Sequence, residues 1–376
     1  MEQENLNTPV ALIVGVTGMV GVALTEALKK PTTIGGPWTV YGVSRRPLPT
    51  WFPSSQLDKY FICDTVNGDT THKVLSPLSS KITHLFWLAF QVNETEELNV
   101  SCNSSMLSNV LNSLTYSPNS KLSHVTLQTG TRHYFGPNFN PTISTKLVPR
   151  DPPFREDYPR LPVTNFYYAL EDIVAASYSK SFTYSIHRAS IIIGASTRSY
   201  INGLLMLSVY ALICKHENHP FRYYGNRYNW EHFWDASDAN LLAEQQIWAA
   251  TTEKAKNQAF NCTNGDVFTW KLLWRVLCDV FDVEFVAFDE KYKFDCVSFM
   301  RDKGEVWDKI VEENGLYETK LEEITCFGVA SGILKLEFQH VCSMNKSREL
   351  GFLGYANTLV SIKAWVERMR QLKILP

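Results

Sequence analysis

Val10-Ala11-Leu12-Ile13-Val14-Gly15-Val16-Thr17-Gly18-Met19-Val20-Gly21 is the stretch that decides how this chain folds. Its five opening residues are all apolar, the pattern of a strand buried on both faces of a parallel sheet. The run stops at Gly15, and the glycines follow a G-x-x-G-x-x-G spacing. Val20 to Leu28 then carries apolar residues at helical intervals. Trp38-Thr39-Val40-Tyr41-Gly42-Val43 supplies a second strand at the separation that a strand–helix–strand crossover requires.

A strand that enters a glycine turn and leaves it as a helix is suited to a pyrophosphate. Small residues admit the ligand close to the backbone, and the helix N-terminus offers N–H donors and partial positive charge. Gly15, Thr17, Gly18, Met19, Val20 and Gly21 are therefore the expected cofactor cradle. Folds that bind NAD usually end the second strand on a carboxylate that holds the ribose 2′-hydroxyl, whereas a 2′-phosphate needs cations there. This chain reads Ser44-Arg45-Arg46 at that point. The planar guanidinium fork suits phosphate, so these three residues point to NADP(H), with NAD(H) kept as a second cofactor. Asp64, after the third strand, is a candidate acceptor for the adenine amino group and equally an ordinary loop carboxylate.

Outward from the turn the alternation continues with Tyr60-Phe61-Ile62-Cys63, Ile82 to Leu88, a helical Ser104 to Leu114, His124 to Gln128, a helical Phe166 to Tyr178, and Tyr184 to His187. This predicts an α/β fold, a Rossmann-type doubly wound parallel sheet. Past residue 195 the rhythm gives way to longer helices rich in aromatics, among them Tyr223, Tyr224, Trp230, Phe233 and Trp234. The expected division is a dinucleotide-binding domain over 1–195 and a smaller, mostly helical substrate-covering lobe over 196–376, with segments returning to the main sheet.

Composition narrows the partners. The chain has 376 residues, 45% apolar and 20% charged, with a formal charge of -2. Without a basic excess or a cationic run, neither nucleic acid nor a membrane surface is expected. Met1 to Pro9 lacks the positive start and apolar core of a secretory signal, and no window reaches the length of a membrane span, so a cytoplasmic protein is expected. Eight cysteines are scattered without a CxxC pair and read as reduced core residues. Cys214-Lys215-His216-Glu217-Asn218-His219 matches no zinc spacing, and no metal is expected.

The glycine pattern and strand order resemble the extended short-chain dehydrogenase/reductase superfamily, whose members usually carry Tyr-x-x-x-Lys. Here Tyr167 and Tyr168 are followed four residues on by Glu171 and Asp172. The lysine that would lower a tyrosine pKa and relay protons is absent, which disfavours an ordinary alcohol dehydrogenase. Asn165-Phe166-Tyr167-Tyr168 with Leu170-Glu171-Asp172 resembles the plant progesterone 5β-reductase and iridoid synthase family. Leu127-Gln128-Thr129-Gly130, His133-Tyr134, Phe154-Arg155-Glu156-Asp157, Ile213 to Glu217, Asn264 to Phe268 and Ser343-Met344-Asn345-Lys346-Ser347 agree with it along nearly the whole chain.

The resemblance implies NADPH-dependent 1,4-reduction of an α,β-unsaturated carbonyl, either 8-oxogeranial or a Δ4-3-oxosteroid. Hydride goes to the β-carbon, and Tyr167 donates to the oxygen of the resulting enolate. Where the family has a lysine before its His-Tyr pair, this chain has Arg132, a cation that cannot titrate. Arg132 is thus either a competent replacement or a salt bridge at the cleft edge. Thr129, Gly130 and Tyr167 join the expected cofactor contacts, as does Ile193 in the stretch His187 to Gly194. Trp87, Phe90, Tyr134 and Phe338 are candidates for the apolar substrate wall, with core packing as the competing role of each. A small apolar carbonyl compound is the expected partner, and a homodimer is kept open. A non-catalytic NADP(H)-binding regulator and an ordinary carbonyl reductase remain the alternatives.

Overall fold

The computed structural model describes residues 8–137, 149–178, 182–199 and 201–376, so the reading of the extreme N-terminus lies largely outside the described residues. In chain order the strands are β1 (Val10–Val14), β2 (Thr39–Ser44), β3 (Lys59–Ile62), β4 (His84–Trp87), β5 (His124–Gly130), β6 (Thr183–Ala189), β7 (Ile191–Ile193), β8 (Phe233–Trp234), β9 (Ala236–Asp238), β10 (Gln258–Cys262) and β11 (Phe268–Thr269). Seven of them form a parallel sheet in the order β10-β6-β5-β4-β1-β2-β3. The order reverses at β1, where Val14 is in register with Val43 of β2 on one side and Trp87 of β4 on the other. In sheets of this kind a ligand crevice opens beyond the carboxyl ends of the strands at that reversal.

The helices are α1 (Met19–Leu28), α2 (Gly68–Leu75), α3 (Glu96–Thr115), α4 (Arg132–Phe135), α5 (Phe166–Tyr178), α6 (Gly203–His216), α7 (Arg227–Glu231), α8 (Ala239–Thr251) and α9 (Trp270–Phe281), followed by shorter ones and a last helix, Thr358–Gln371. They cover both faces of the sheet. On one face Leu75 of α2, Leu107 and Val110 of α3, and Leu170 and Val174 of α5 pack on Leu12, Leu85 and Val125. On the other, α1 and α8 lie over Ala11, Ile13, Val40 and Phe86 within a core that runs on into α6, α9 and the last helix. β10, from beyond residue 195, pairs with β6 at the sheet edge.

Two local readings change. The apolar spacing predicts a helix from Ser104, yet α3 starts at Glu96, where a cap sets its start: Thr95 Oγ1 accepts from Leu98 N at 3.2 Å, with Glu96 and Glu97 in the first turn. α2 escapes periodicity because it buries only Thr71 and Leu75; Asn67 caps it by accepting from Thr70 N at 2.8 Å. All eight cysteines are free. Among the described residues no helix is long and apolar enough to cross a membrane.

Candidate active site

The glycine turn lies at the reversal point. Gly15 has φ +92°, a left-handed conformation that a side chain disfavours, and a Cβ there would come within 2.9 Å of Ala89 N. A Cβ on Gly21 would fall 2.3 Å from Val16 O, so the strand and α1 approach only because this residue is glycine. Gly18 is the N-cap of α1 and supplies no capping side chain. Ser199 Oγ accepts from Met19 N at 3.1 Å, but the helix start otherwise keeps the bare N-terminus that an anion occupies. Gly15, Gly18, Met19, Val20 and Gly21 line a deep cleft. Thr17 does not line it, and its carbonyl accepts from Ser196 Oγ at 2.8 Å.

The end of β2 lies outside that cleft and carries a cluster of arginines. Arg45 and Arg46 are exposed, and the Arg46 carbonyl accepts from Ser44 Oγ at 3.1 Å and from Tyr60 Oη. Partial burial, together with the charges of Arg198 and Arg45, makes protonation of Arg46 less favourable than usual, and Glu323 offsets part of this. Arg198 comes from the loop after β7. Its guanidinium donates to Tyr317 Oη at 3.2 Å while its buried Nε has no hydrogen-bond partner. Three guanidinium groups gathered in this way, without an ion-paired carboxylate among the described residues, fit a phosphate. Asp64 is exposed, lines no part of the cleft, and accepts from Val66 N at 3.2 Å.

Tyr167 and Arg132 both line the cleft. Asn165 ties their elements together: its Oδ1 accepts from Tyr167 N at 3.0 Å and its Nδ2 donates to Arg132 O at 3.1 Å. Gly130 leaves room for the phenol, since a Cβ there would lie 3.1 Å from Tyr167 Oη. The Arg132 guanidinium stands 5.9 Å from the Tyr167 ring centre and pairs with Glu96 at 3.2 Å. Glu96 is almost fully buried, and its other oxygen accepts from Phe166 N at 2.9 Å, so one carboxylate orients both the cation and the start of α5. Sequence reading missed Glu96, because nothing local to a polar helix start signals a partner 36 residues away. Burial raises the Tyr167 pKa, with Arg132 opposing and Glu96 adding to the rise. The phenol therefore stays protonated at neutral pH.

Thr129, Gly130 and Phe90 also line the cleft, Phe90 with 42% of its surface exposed. Ile193 is buried beside it, and its neighbours Ile191 and Ile192 form the lining instead. Three expected wall residues are corrected. Trp87 is fully buried in the core on the α3 and α5 face of the sheet. Tyr134 is fully buried as well: it stacks on Phe154 with ring centres 5.0 Å apart and donates to Asn261 Oδ1 at 2.5 Å. Phe338 packs on Phe135 and Phe154 behind the wall. The apolar wall is built instead by Phe135, Phe166, Met206, Tyr224, Trp234 and Trp270. Most of these come from far along the chain, beyond the reach of local pattern. Among the described residues no cluster of His, Cys, Asp or Glu is arranged to hold a metal.

Residues 11–376 match the family model described as a PRISE-like Rossmann-fold domain. The chain is 47% identical over 371 residues to the 3-oxo-Delta(4,5)-steroid 5-beta-reductase of Arabidopsis thaliana, covering 98% of this chain and 93% of that protein. It is 46% identical over 370 residues to the (S)-8-oxocitronellyl enol synthase of Catharanthus roseus, covering 98% and 92%. Among solved structures it resembles the UDP-glucose 4-epimerase of Thermotoga maritima with TM-score 0.64 at 12% identity, covering 96% of this chain and 99% of that one. That last likeness concerns the fold alone.

Proposed function

The chain belongs to the PRISE-like Rossmann-fold family, and from that premise we propose that it is an NADPH-dependent reductase of α,β-unsaturated carbonyl compounds, with a Δ4-3-oxosteroid or an 8-oxo-monoterpene dialdehyde as substrate. It is an oxidoreductase acting on a CH–CH pair with a nicotinamide cofactor. The observation that carries the reading is Tyr167, a phenol that lines an apolar cleft beside the glycine turn with Glu171 in place of a lysine four residues on.

A bound reduced nicotinamide supplies hydride to the β-carbon of the conjugated system. The Tyr167 hydroxyl donates to the carbonyl oxygen, and that bond strengthens as negative charge moves onto the oxygen. Full proton transfer is not required of it. Arg132, held by Glu96, adds fixed positive charge beside the ring. Gly15, Gly18 and Gly21 with the start of α1 would hold the pyrophosphate, and Thr129 and Gly130, which line the same cleft, would contact the nicotinamide half. Arg45, Arg46 and the partnerless Nε of Arg198 support a 2′-phosphate, hence NADPH over NADH. The aromatic wall suits a substrate that is mostly hydrocarbon.

The test supplies NADPH with progesterone, 8-oxogeranial and cyclohexenone and identifies the products. Saturated carbonyls, or an enol that cyclises, are expected. Alcohols would indicate an ordinary carbonyl reductase, and no NADPH oxidation with any of the three would refute the proposal.

A further inference from the structure

Each enone reduced consumes one hydride and one proton. The ionisable side chains that line the cleft among the described residues are Arg132, Tyr167, Tyr224 and His340. Arg132 does not give up a proton at working pH. Burial raises the pKa of both tyrosines, Tyr224 most strongly. That leaves the imidazole.

His340 belongs to a buried chain of three side chains. Its Nδ1 lies 3.0 Å from Asp235 Oδ1, and its Nε2 lies 2.8 Å from Thr131 Oγ1. Asp235 is 1% exposed and His340 2%. The second Asp235 oxygen accepts from Cys342 N at 2.6 Å. Ser190 Oγ stands 3.4 Å from Nδ1 and itself donates to the Asp235 carbonyl at 3.0 Å. The imidazole stacks on Trp234 at 4.8 Å between ring centres, with Phe135 and Phe154 each 5.5 Å away edge-on. Ring orientation is thus set on every side. Thr131 ends the chain in the cleft, next to Gly130 and Arg132 and in the same cavity as Tyr167.

A carboxylate on Nδ1 fixes that nitrogen as the donor and leaves Nε2 facing Thr131. In the neutral ring Nε2 accepts the Thr131 proton. With a proton on both ring nitrogens, Nε2 donates instead and frees the hydroxyl proton for the cleft. We propose that Asp235, His340 and Thr131 form a proton relay that, where the product is a saturated carbonyl, delivers the proton of the reduction to the α-carbon of the enolate. The proposal rests on the enone-reductase reading above. In the step, a Cα–H bond forms as the Thr131 O–H bond breaks. His340 Nε2–H restores the hydroxyl, and the imidazolium becomes neutral. Water entering after product release returns the proton through Thr131. Thr131 is then a catalytic residue, and His340 and Asp235 are positioning and relay residues.

The experiment reduces cyclohexenone with 4-deuterated NADPH in D2O. NMR then reads whether the two deuterons, at the β-carbon and the α-carbon, lie cis or trans. The wild-type protein is expected to yield one diastereomer. Thr131→Val and His340→Gln are expected to bind NADPH with wild-type affinity yet drift toward an equal mixture, because solvent then protonates either face. Thr131→Ser should restore the single diastereomer. A merely structural histidine would alter stability without touching this ratio. The relay is overturned if the wild type already yields a mixture, or if both variants keep one diastereomer. Failure of the wild type to oxidise NADPH with the enone would refute the underlying reductase reading, and the relay with it.

Discussion

Two buried arginine–glutamate pairs flank α5, and they do different work. Arg132, which lines the cleft, meets Glu96 at 3.2 Å, while Arg188 meets Glu171 at 3.2 Å in the scaffold. One helical turn joins them, since Tyr167 and Glu171 are four residues apart. The inner pair is closed off: Arg188 also donates to Tyr134 Oη at 3.2 Å, and Glu171 receives Arg160 at 3.3 Å and lies 3.4 Å from His133 Nδ1. Burial alone would raise the Glu171 pKa, but His133 and Arg188 hold it down to about 2. The outer pair shares its arginine with the cleft. Four residues beyond Tyr167 the helix therefore carries a carboxylate committed to Arg188 where a dehydrogenase would carry a lysine. That position serves the scaffold, and the cation nearest the tyrosine ring, Arg132, comes from just past the end of β5.

The largest effect that tests this contrast is on stability. Glu171→Ala leaves Arg188 buried without its partner and should cost about 3–5 kcal/mol in chemical denaturation, as breaking buried pairs does. A loss below about 1 kcal/mol would remove the distinction between the two pairs. The same carboxylate sets an acid limb. Its folded pKa, about 2, is below the ordinary 4.5, so its contribution is full above pH 4.5 and is lost as pH falls toward 2. Glu171→Gln should flatten that limb in pH-dependent unfolding.

On the cleft side, Tyr167→Phe should lower kcat by about 10²–10³-fold, as loss of one oxyanion donor does, while the melting temperature changes little. Unchanged turnover would withdraw Tyr167 from catalysis. Smaller again is the cofactor arm. Replacing both Arg45 and Arg46 by alanine should weaken NADPH by about 10–100-fold in calorimetry, within the range for charged hydrogen bonds, and leave NADH nearly unaffected. Equal weakening of both cofactors would place the 2′-phosphate elsewhere.

Much of the site was legible in the chain because the relevant chemistry is local. A buried apolar strand, a glycine turn and a helix start must adjoin in sequence to cradle a pyrophosphate, and the arginines after β2 follow the strand that delivers them. The family resemblance singled out Tyr167 and Arg132. It could not say that Arg132 is held by Glu96, or that Trp87 and Tyr134 serve the core, because side-chain burial depends on which strands become neighbours.

The sequence by itself determined the parallel sheet and the place of the glycine cradle, since each depends on hydrophobic period and turn chemistry over a few consecutive residues. Only the tertiary structure decided the surroundings of the tyrosine. Arg198 beside Arg46, Glu96 beneath Arg132, and His340 on Thr131 are separated by 152, 36 and 209 residues. Contacts across such distances arise when the strand order brings loop ends together at one edge of the sheet, and no local pattern of residues encodes them.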